Sequence, residues 1–529
     1  MNDSQPNSSP WAPLRNKTFL FIWIATIASN IGTWMHEVGA SWLMLSMTSD
    51  PVMIVLIQSA TALPIFLFAL PAGALSDIID RRVYLLAVQS VMLLIAILLT
   101  VITFLDLVTP WTLVAFTFAL ACGTAFSAPA WQAITPELVP RKQLTEAISL
   151  NSAGINISRA IGPALGGLLV ALYNPAITFF LNSISFIGIL IILYRWQRQP
   201  VKHALPAERL WNAIKTGLRY SKSSRSLKTI MVRAAAFFIA ASAVWALLPL
   251  LAKEELKQEA SGFGLLVGAI GLGAMLGSFL LPRLRAIYAN QTLVIVASVN
   301  YAVMVLLLAF SNYFYIVILI MVSIGVSWIT VVSSLNAAVQ HAVPDWVRSR
   351  ALAAYLVVFF GAMALGSWSW GVFAKYFSIS DAFIVAGALQ ILGVLLTLRI
   401  KLPKGDLSCL ESSGHWPTPV LASEVDKDQG PVMITIEYQV EVSKQKQFKH
   451  IAKNLREIRK RDGAFFWELY SDVEKPESIL EAFMVESWLD HLRQHERVTN
   501  NDKKTQDHLL SLCRQNTRPV VRHMIHSLQ

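Results

Sequence analysis

A run of about twenty apolar residues strongly restricts what a chain can do. In a bilayer it satisfies every backbone polar group as a helix, and water offers it no comparable solution at that length. This sequence contains twelve such runs, at about 18–46, 51–74, 84–105, 111–133, 144–172, 175–195, 229–252, 261–282, 290–310, 313–340, 346–374 and 381–399. An all-α membrane bundle is therefore expected for most of the chain. Of its 529 residues 55% are hydrophobic and only 15% charged, too apolar for a soluble protein of that length. The formal charge of +11 falls in the gaps between the runs. It thus reads as membrane topology, and no nucleic-acid partner is expected. Cys122, Cys409 and Cys513 are far apart and odd in number, which argues against a disulfide framework or a metal cluster. Residues 1–17 lack the charged start, short apolar core and cleavage site of a signal peptide and read as a cytoplasmic tail.

The turns alternate in charge. Ser49-Asp50-Pro51, Asp106 to Pro110 and Tyr173-Asn174-Pro175 carry no Lys or Arg, whereas the opposite turns carry Arg81, Arg82, Arg141 and Lys142. Arg283, Arg285, Arg348 and Arg350 continue the pattern. By the positive-inside rule both termini are cytoplasmic, in a multi-pass protein of the cell inner membrane. The domains expected are a six-helix half over 18–195, a basic linker over 196–228, a second six-helix half over 229–400, a linker over 401–430 and a soluble domain over 431–529. In the basic linker Leu210, Trp211, Ile214 and Leu218 follow helical spacing, as on a helix lying at the inner surface. A faint repeat links Pro136 to Arg141, before the fifth span, with Pro344 to Arg350, before the eleventh. Two such halves suit alternating access around a site near the bilayer midplane.

Polar residues inside the spans are the candidate site. Asn30, Thr33, Glu37 and Ser41 are spaced 3, 4 and 4 apart and share one helix face, beside a strip of Ser29, Gly32, His36 and Ala40. Lipid satisfies none of these groups, so the stripe should face the interior. Glu37 reads as a proton-titrating or substrate-binding carboxylate, or else as a carboxyl near the outer end bonded to a neighbouring helix. His36 is a weaker candidate beside it. Gln58 and Thr61 of the second span can face the same cavity, and Ser127, Trp131 and Gln132 stand near the cytoplasmic end of the fourth. Arg159 lies deep in the fifth span, where it would pair with Glu37, meet an anionic substrate, or simply tie helices together. Asn151 and Asn156 are candidates for the same cavity. In the second half the candidates are Trp245, Ser327, Trp328, Thr330, Ser334, Asn336, Trp368 and Trp370. Aromatic rings and hydroxyls suit a bulky, partly apolar organic molecule.

Two motifs carry a resemblance. Gly73 to Arg82, between the second and third spans, resembles the Gly-x-Leu-Ala-Asp-Arg-x-Gly-Arg-Arg signature of the major facilitator superfamily. Gly73, Leu75, Asp77, Arg81 and Arg82 match; Ile78 replaces the usual first Arg, and Asp80 stands where Gly is commonest. Gly73 would allow close backbone approach or a sharp helix exit, and Asp77 could cap a neighbouring helix. The resemblance implies a gating role in which Asp77 packs near Arg348 or Arg350. In the fifth span Gly162, Pro163, Gly166 and Gly167 match the Gly-Pro-x-x-Gly-Gly motif of superfamily exporters, with Ser158 in place of an earlier Gly. That likeness implies export.

Past residue 430 the character changes. Val432 to Val442 alternates as a strand, Gln445 to Lys460 reads as a helix, Ala464 to Tyr470 and Ile479 to Glu486 as strands, Trp488 to Cys513 as largely helical, and Pro519 to Ile525 as a last strand. This β-α-β-β-α-β order predicts a small α+β ferredoxin-like domain. The run Glu486 to Arg497 resembles the tail of the transmembrane secretion effectors, the branch that includes enterobactin-exporter-like proteins. The tail also resembles the antibiotic-biosynthesis monooxygenase fold, which implies dimerisation. His491 and His495 have the i,i+4 spacing of a helical metal pair, but no third ligand is evident and the surrounding charges read as a solvated face. No metal and no cofactor are expected. The expected function is secondary active export of a small siderophore-like or drug-like molecule, coupled to protons. Two alternatives are a membrane-anchored oxidase or monooxygenase acting through the tail, and a sensor without a transport cycle.

Overall fold

The computed structural model describes residues 11–140, 143–196, 220, 224–400, 402, 413–416, 426, 428–514 and 517–526. The expected amphipathic helix at Leu210 to Leu218 lies outside them, as do Arg141, Lys142 and Cys409.

Among the described residues, twelve helices are long and apolar enough to span a membrane. In the first half they are α1 (Lys17–Met47), α2 (Pro51–Ile78), α3 (Arg81–Phe104), α4 (Pro110–Leu138), α5 (Leu144–Leu172) and α6 (Pro175–Arg195). In the second they are α7 (Arg225–Leu250), α8 (Ala260–Ile287), α9 (Asn290–Leu308), α10 (Phe314–His341), α11 (Arg348–Tyr376) and α12 (Ile379–Thr397). The turns without Lys or Arg in the first half share one device. Asp50, Thr109 and Asn174 are N-caps whose side chains accept backbone N–H bonds, and each is followed by Pro at the first helical position. The eleventh span starts slightly later than its apolar run, because Asp345–Val347 forms a separate 3-10 turn ahead of Arg348.

The turn between α2 and α3 corrects one expectation. Gly73 lies inside α2, and a Cβ there would meet open space, so neither close approach nor a helix exit explains it. The N-cap of α3 is Asp80, which accepts from the N–H groups of Arg82 and Val83. The acid at the usual Gly position thus caps the helix that follows it. Arg81 pairs with Glu137 at 2.7 Å, and Arg82 donates to the carbonyls of Leu193 and Tyr194 at the end of α6. These bonds tie α3 to α4 and α6.

The halves meet through small residues. A Cβ on Gly167 would lie 2.4 Å from the Ala260 carbonyl, and one on Gly264 would lie 2.5 Å from the Pro163 carbonyl, so α5 and α8 touch backbone to backbone. Gly162 and Gly166 face Trp34 and Met35 of α1 just as closely. Ser158, at an earlier Gly position, is fully buried and donates to the Ile27 carbonyl. On the other flank Ser59 of α2 donates to the Ala364 carbonyl of α11. At the end of the bundle carrying the capped turns, Lys375 pairs with Asp50 at 3.1 Å and Lys253 donates to the Leu45 carbonyl.

A second compact unit gathers 402–529 with short segments around Tyr220 and Trp346. Its four-stranded sheet comprises β1 (Val432–Gln439), β2 (Phe466–Ser471), β3 (Ser478–Val485) and β4 (Val520–Ile525), in the order β2-β3-β1-β4 with every pair antiparallel. Among the described residues of the tail, three α-helices accompany it, α13 (Gln445–Arg461), α14 (Trp488–Arg497) and α15 (Asn500–Leu510). The stretch Trp488 to Cys513 is largely helical, as expected, and forms two helices. Thr499 restarts the helix as an N-cap, in a capping box with Asp502. Ile434, Phe448, Leu455, Phe483 and Trp488 belong to one core cluster. Through it runs a buried polar knot, in which Glu481 accepts from Arg459 at 3.1 Å, Trp467 at 2.9 Å and Tyr438 at 2.9 Å. Within this unit the Arg497 guanidinium lies 4.5 Å over the Trp346 ring, and Arg461, paired with Asp462 and Asp502, lies 5.6 Å from Tyr220.

Candidate functional site

A cavity of about 320 Å³ lies between the two six-helix halves. Helix α1 brings Thr33, Trp34, His36 and Glu37 to it, α2 brings Gln58 and Thr61, and α5 brings Arg159. From the second half come Trp245 of α7, Trp328 of α10, and Phe359 and Phe360 of α11. The polar stripe of α1 therefore faces inward, because only there can protein and water replace the hydrogen bonds that lipid withholds.

Glu37 and Arg159 both border the cavity but form no direct ion pair among the described contacts. Arg159 instead sits 5.7 Å from the Trp34 ring centre, and its Nε is buried without a hydrogen-bond partner. Both ring nitrogens of His36 are likewise buried and unpartnered, with the ring 4.7 Å from that of Phe179. Unsatisfied donors at a cavity wall can serve a ligand or water. Trp34 faces Trp245 at 6.5 Å, and Trp245 faces Trp328 at 5.4 Å, so an aromatic wall crosses from one half to the other.

Several expected residues lie elsewhere. Asn30 does not border the cavity. Asn151 donates to Thr135, and Asn156 contacts Ser278 of α8 at 3.5 Å. Ser327 accepts from Asn300, and Thr330 bonds back to its own helix. Trp370 is buried and donates to the Ile239 carbonyl, whereas Trp368 is half exposed. Trp34, Asn182, Thr117 and Phe359 line the cavity as well, beyond the residues expected from the sequence. Trp34 had a signal, since it lies three residues before Glu37 on the same helix. The others carry none, because a lone Asn, Thr or Phe in a span looks the same whether it packs or lines a cavity.

In the tail, His491 is fully buried, so the face it occupies is not the solvated one expected. His495 Nε2 lies 3.3 Å from His491 Nε2, and the His523 ring from β4 stands 4.7 Å from that of His491. Burial, with the neighbouring imidazoles second, pushes the His491 pKa down to about 3, and burial lowers that of His495 to about 4. Both rings are thus neutral near pH 7.

A family profile described as transmembrane secretion effector matches residues 8–529, nearly the whole chain. The chain belongs to the transmembrane secretion effectors of the major facilitator superfamily. Among similar effectors and transporters is the staphyloferrin A transporter of Staphylococcus aureus, 24% identical over 68% of this chain and 89% of that protein. Macrolide efflux protein A of Streptococcus pyogenes is 21% identical over 53% of this chain and 70% of its own length. The enterobactin exporter of Salmonella typhi is 27% identical over 50% and 64% respectively. Among solved structures, the nucleoside transporter NupG superposes with a TM-score of 0.60 over 72% of this chain and 99% of its own, at 11% identity. A bacterial homologue of the lysosomal transporter Spinster, in its inward-facing and unoccupied conformation, gives 0.55 over 73% and 95%, at 13% identity. These superpositions speak to fold. With the family they make this effector a multi-pass secondary transporter.

Proposed function

We propose that this transporter exports a small organic molecule of siderophore-like or drug-like character from the cytoplasm, driven by protons. The observation that carries the reading is the cavity itself, where Glu37, Arg159 and an aromatic wall converge between the halves. The rings would hold a planar or partly apolar body, and Arg159 would meet an anionic group such as a carboxylate or catecholate. Glu37 would take a proton as substrate leaves, because a carboxyl in a dry cavity holds either a proton or a cationic partner. The names of the staphyloferrin A, enterobactin and macrolide transporters favour this substrate range.

Gating rests on Gly73, Asp77, Arg81, Arg82, Arg348 and Arg350 in this reading, with Asp77 pairing near Arg348 or Arg350 in one conformation. The close α5–α8 contact and the Asp50–Lys375 pair support a state closed at the end opposite Arg81 and Arg82. Arg497 over Trp346 supports a cytoplasmic tail, since Trp346 adjoins a basic turn. The strand order β2-β3-β1-β4 supports a ferredoxin-like sandwich acting as a dimerising or regulatory module.

The test is efflux from proteoliposomes under an imposed pH gradient, with siderophores, macrolides and dyes as substrates, for the wild type and Glu37→Gln. Gradient-driven movement that disappears in the folded variant is the expected result. Equal movement in the variant removes Glu37 from coupling, and an unchanged rate without the gradient removes the proton.

A further inference from the structure

We propose that His491, His495 and His523 form a binding site for one divalent transition-metal ion in the tail. Helix α14 presents His491 and His495 one turn apart, so their rings share a face. Strand β4 supplies the third ring, because its antiparallel pairing with β1 sets His523 opposite Ile434. One ring nitrogen from each of the three residues lies within 4.8 Å of the others.

The distances suit a shared ion. Metal–nitrogen bonds of about 2.0–2.1 Å at tetrahedral angles place two ligating nitrogens roughly 3.3 Å apart. The His491 and His495 Nε2 atoms already stand at 3.3 Å. Two neutral imidazoles at that separation can share only one proton, whereas an ion between them takes a lone pair from each. His523 must close in somewhat, and it stands on an edge strand, partly exposed, where rotation of its ring is unhindered by a second neighbouring strand.

The surroundings fit as well. Trp488 lies 5.3 Å from His491 and 5.8 Å from His523, and Trp416 lies 5.0 Å from His495, giving the apolar shell typical of metal sites. The His491 Nδ1 is buried and has no hydrogen-bond partner. The buried Arg459 is paired with Glu481, so its charge is offset. Three nitrogens without a carboxylate select zinc, nickel, copper or cobalt over magnesium or calcium, and leave a fourth position open to water or another ligand.

The test uses the full chain in detergent, free of any affinity tag and stripped with a chelator. It is titrated with Co²⁺ and followed by visible absorption, then with Zn²⁺ in competition. One equivalent of Co²⁺ with d–d bands, displaced by Zn²⁺, is expected. His523→Gln and His495→Ala should each weaken binding at least tenfold, as loss of a ligand does, with the near-ultraviolet circular dichroism of the tail unchanged. His523→Gln guards against misfolding, since His523 lies outside the tail's buried core. No uptake of either ion by the wild type at micromolar concentration overturns the proposal, as does undiminished uptake by both variants.

Discussion

The contact between α5 and α8 leaves no space for a methyl group, so Gly264→Ala should shift the balance between transport states. The added Cβ would lie 2.5 Å from the Pro163 carbonyl and 2.8 Å from the Gly167 Cα, both backbone atoms that no side-chain rotation can move. Ordinary contacts need about 3.5–4.0 Å, so the helices must part by roughly 1 Å. Overpacking of this kind costs about 1–3 kcal/mol. In a rigid core that cost would appear as lost stability. Here it falls between two halves that no covalent bond holds together at that end. Moving to the state in which the end is open relieves it. A differential of about 1–3 kcal/mol corresponds to a population shift of roughly 5- to 150-fold. The assay is a single cysteine at Gln58, a cavity-lining position, in a background lacking Cys122, Cys409 and Cys513. Its labelling by a membrane-impermeant maleimide is followed in right-side-out vesicles. Gly264→Ala should speed labelling by a factor in that range. Gly188→Ala is the control, because a Cβ there meets open space. Equal labelling in Gly264→Ala and the control would refute the close contact as a determinant of state.

Two further outcomes concern the tail. Glu481→Gln leaves the Arg459 charge buried without its counter-charge and should destabilise the tail by about 3–5 kcal/mol, read by urea unfolding with tryptophan fluorescence. Arg459→Met combined with Glu481→Leu should recover only part of that loss, because Trp467 and Tyr438 lose their acceptor, and a Glu481→Gln cost under about 1 kcal/mol would contradict the buried pair. Burial pushes the Cys513 thiol up to about 11, so its thiolate fraction at pH 8 is roughly a hundredth of that of an exposed cysteine. Alkylation in a chain lacking Cys122 and Cys409 should therefore be slow until urea opens the tail, and rapid labelling of the native protein would contradict its burial.

The spans and their capped turns were legible because their causes are local. About twenty apolar residues need a bilayer, and Asp-Pro, Thr-Pro and Asn-Pro start helices wherever they stand. The inward face of Glu37 was legible too, since 3.6-residue periodicity places it with Thr33 and lipid excludes both. Asn151 and Asn156 obey the same periodicity but find partners on α4 and α8, which no spacing within α5 reveals. The strand and helix order of the tail followed from alternation and turn residues, whereas the break at Thr499 depended on a cap within a largely helical pattern.

The sequence by itself determined that this chain crosses a membrane many times, that its charged residues in mid-span face inward, and that a small α+β domain follows, because hydropathy, periodicity and charge act over one helix or strand. Tertiary structure alone decided which rings form the cavity wall, that Asp80 and Arg81 hold the α2–α3 turn, and that His523 joins His491 and His495. Those outcomes join positions tens to hundreds of residues apart. Only packing sets their distances, through the backbone contacts that small residues permit and the register that strands impose.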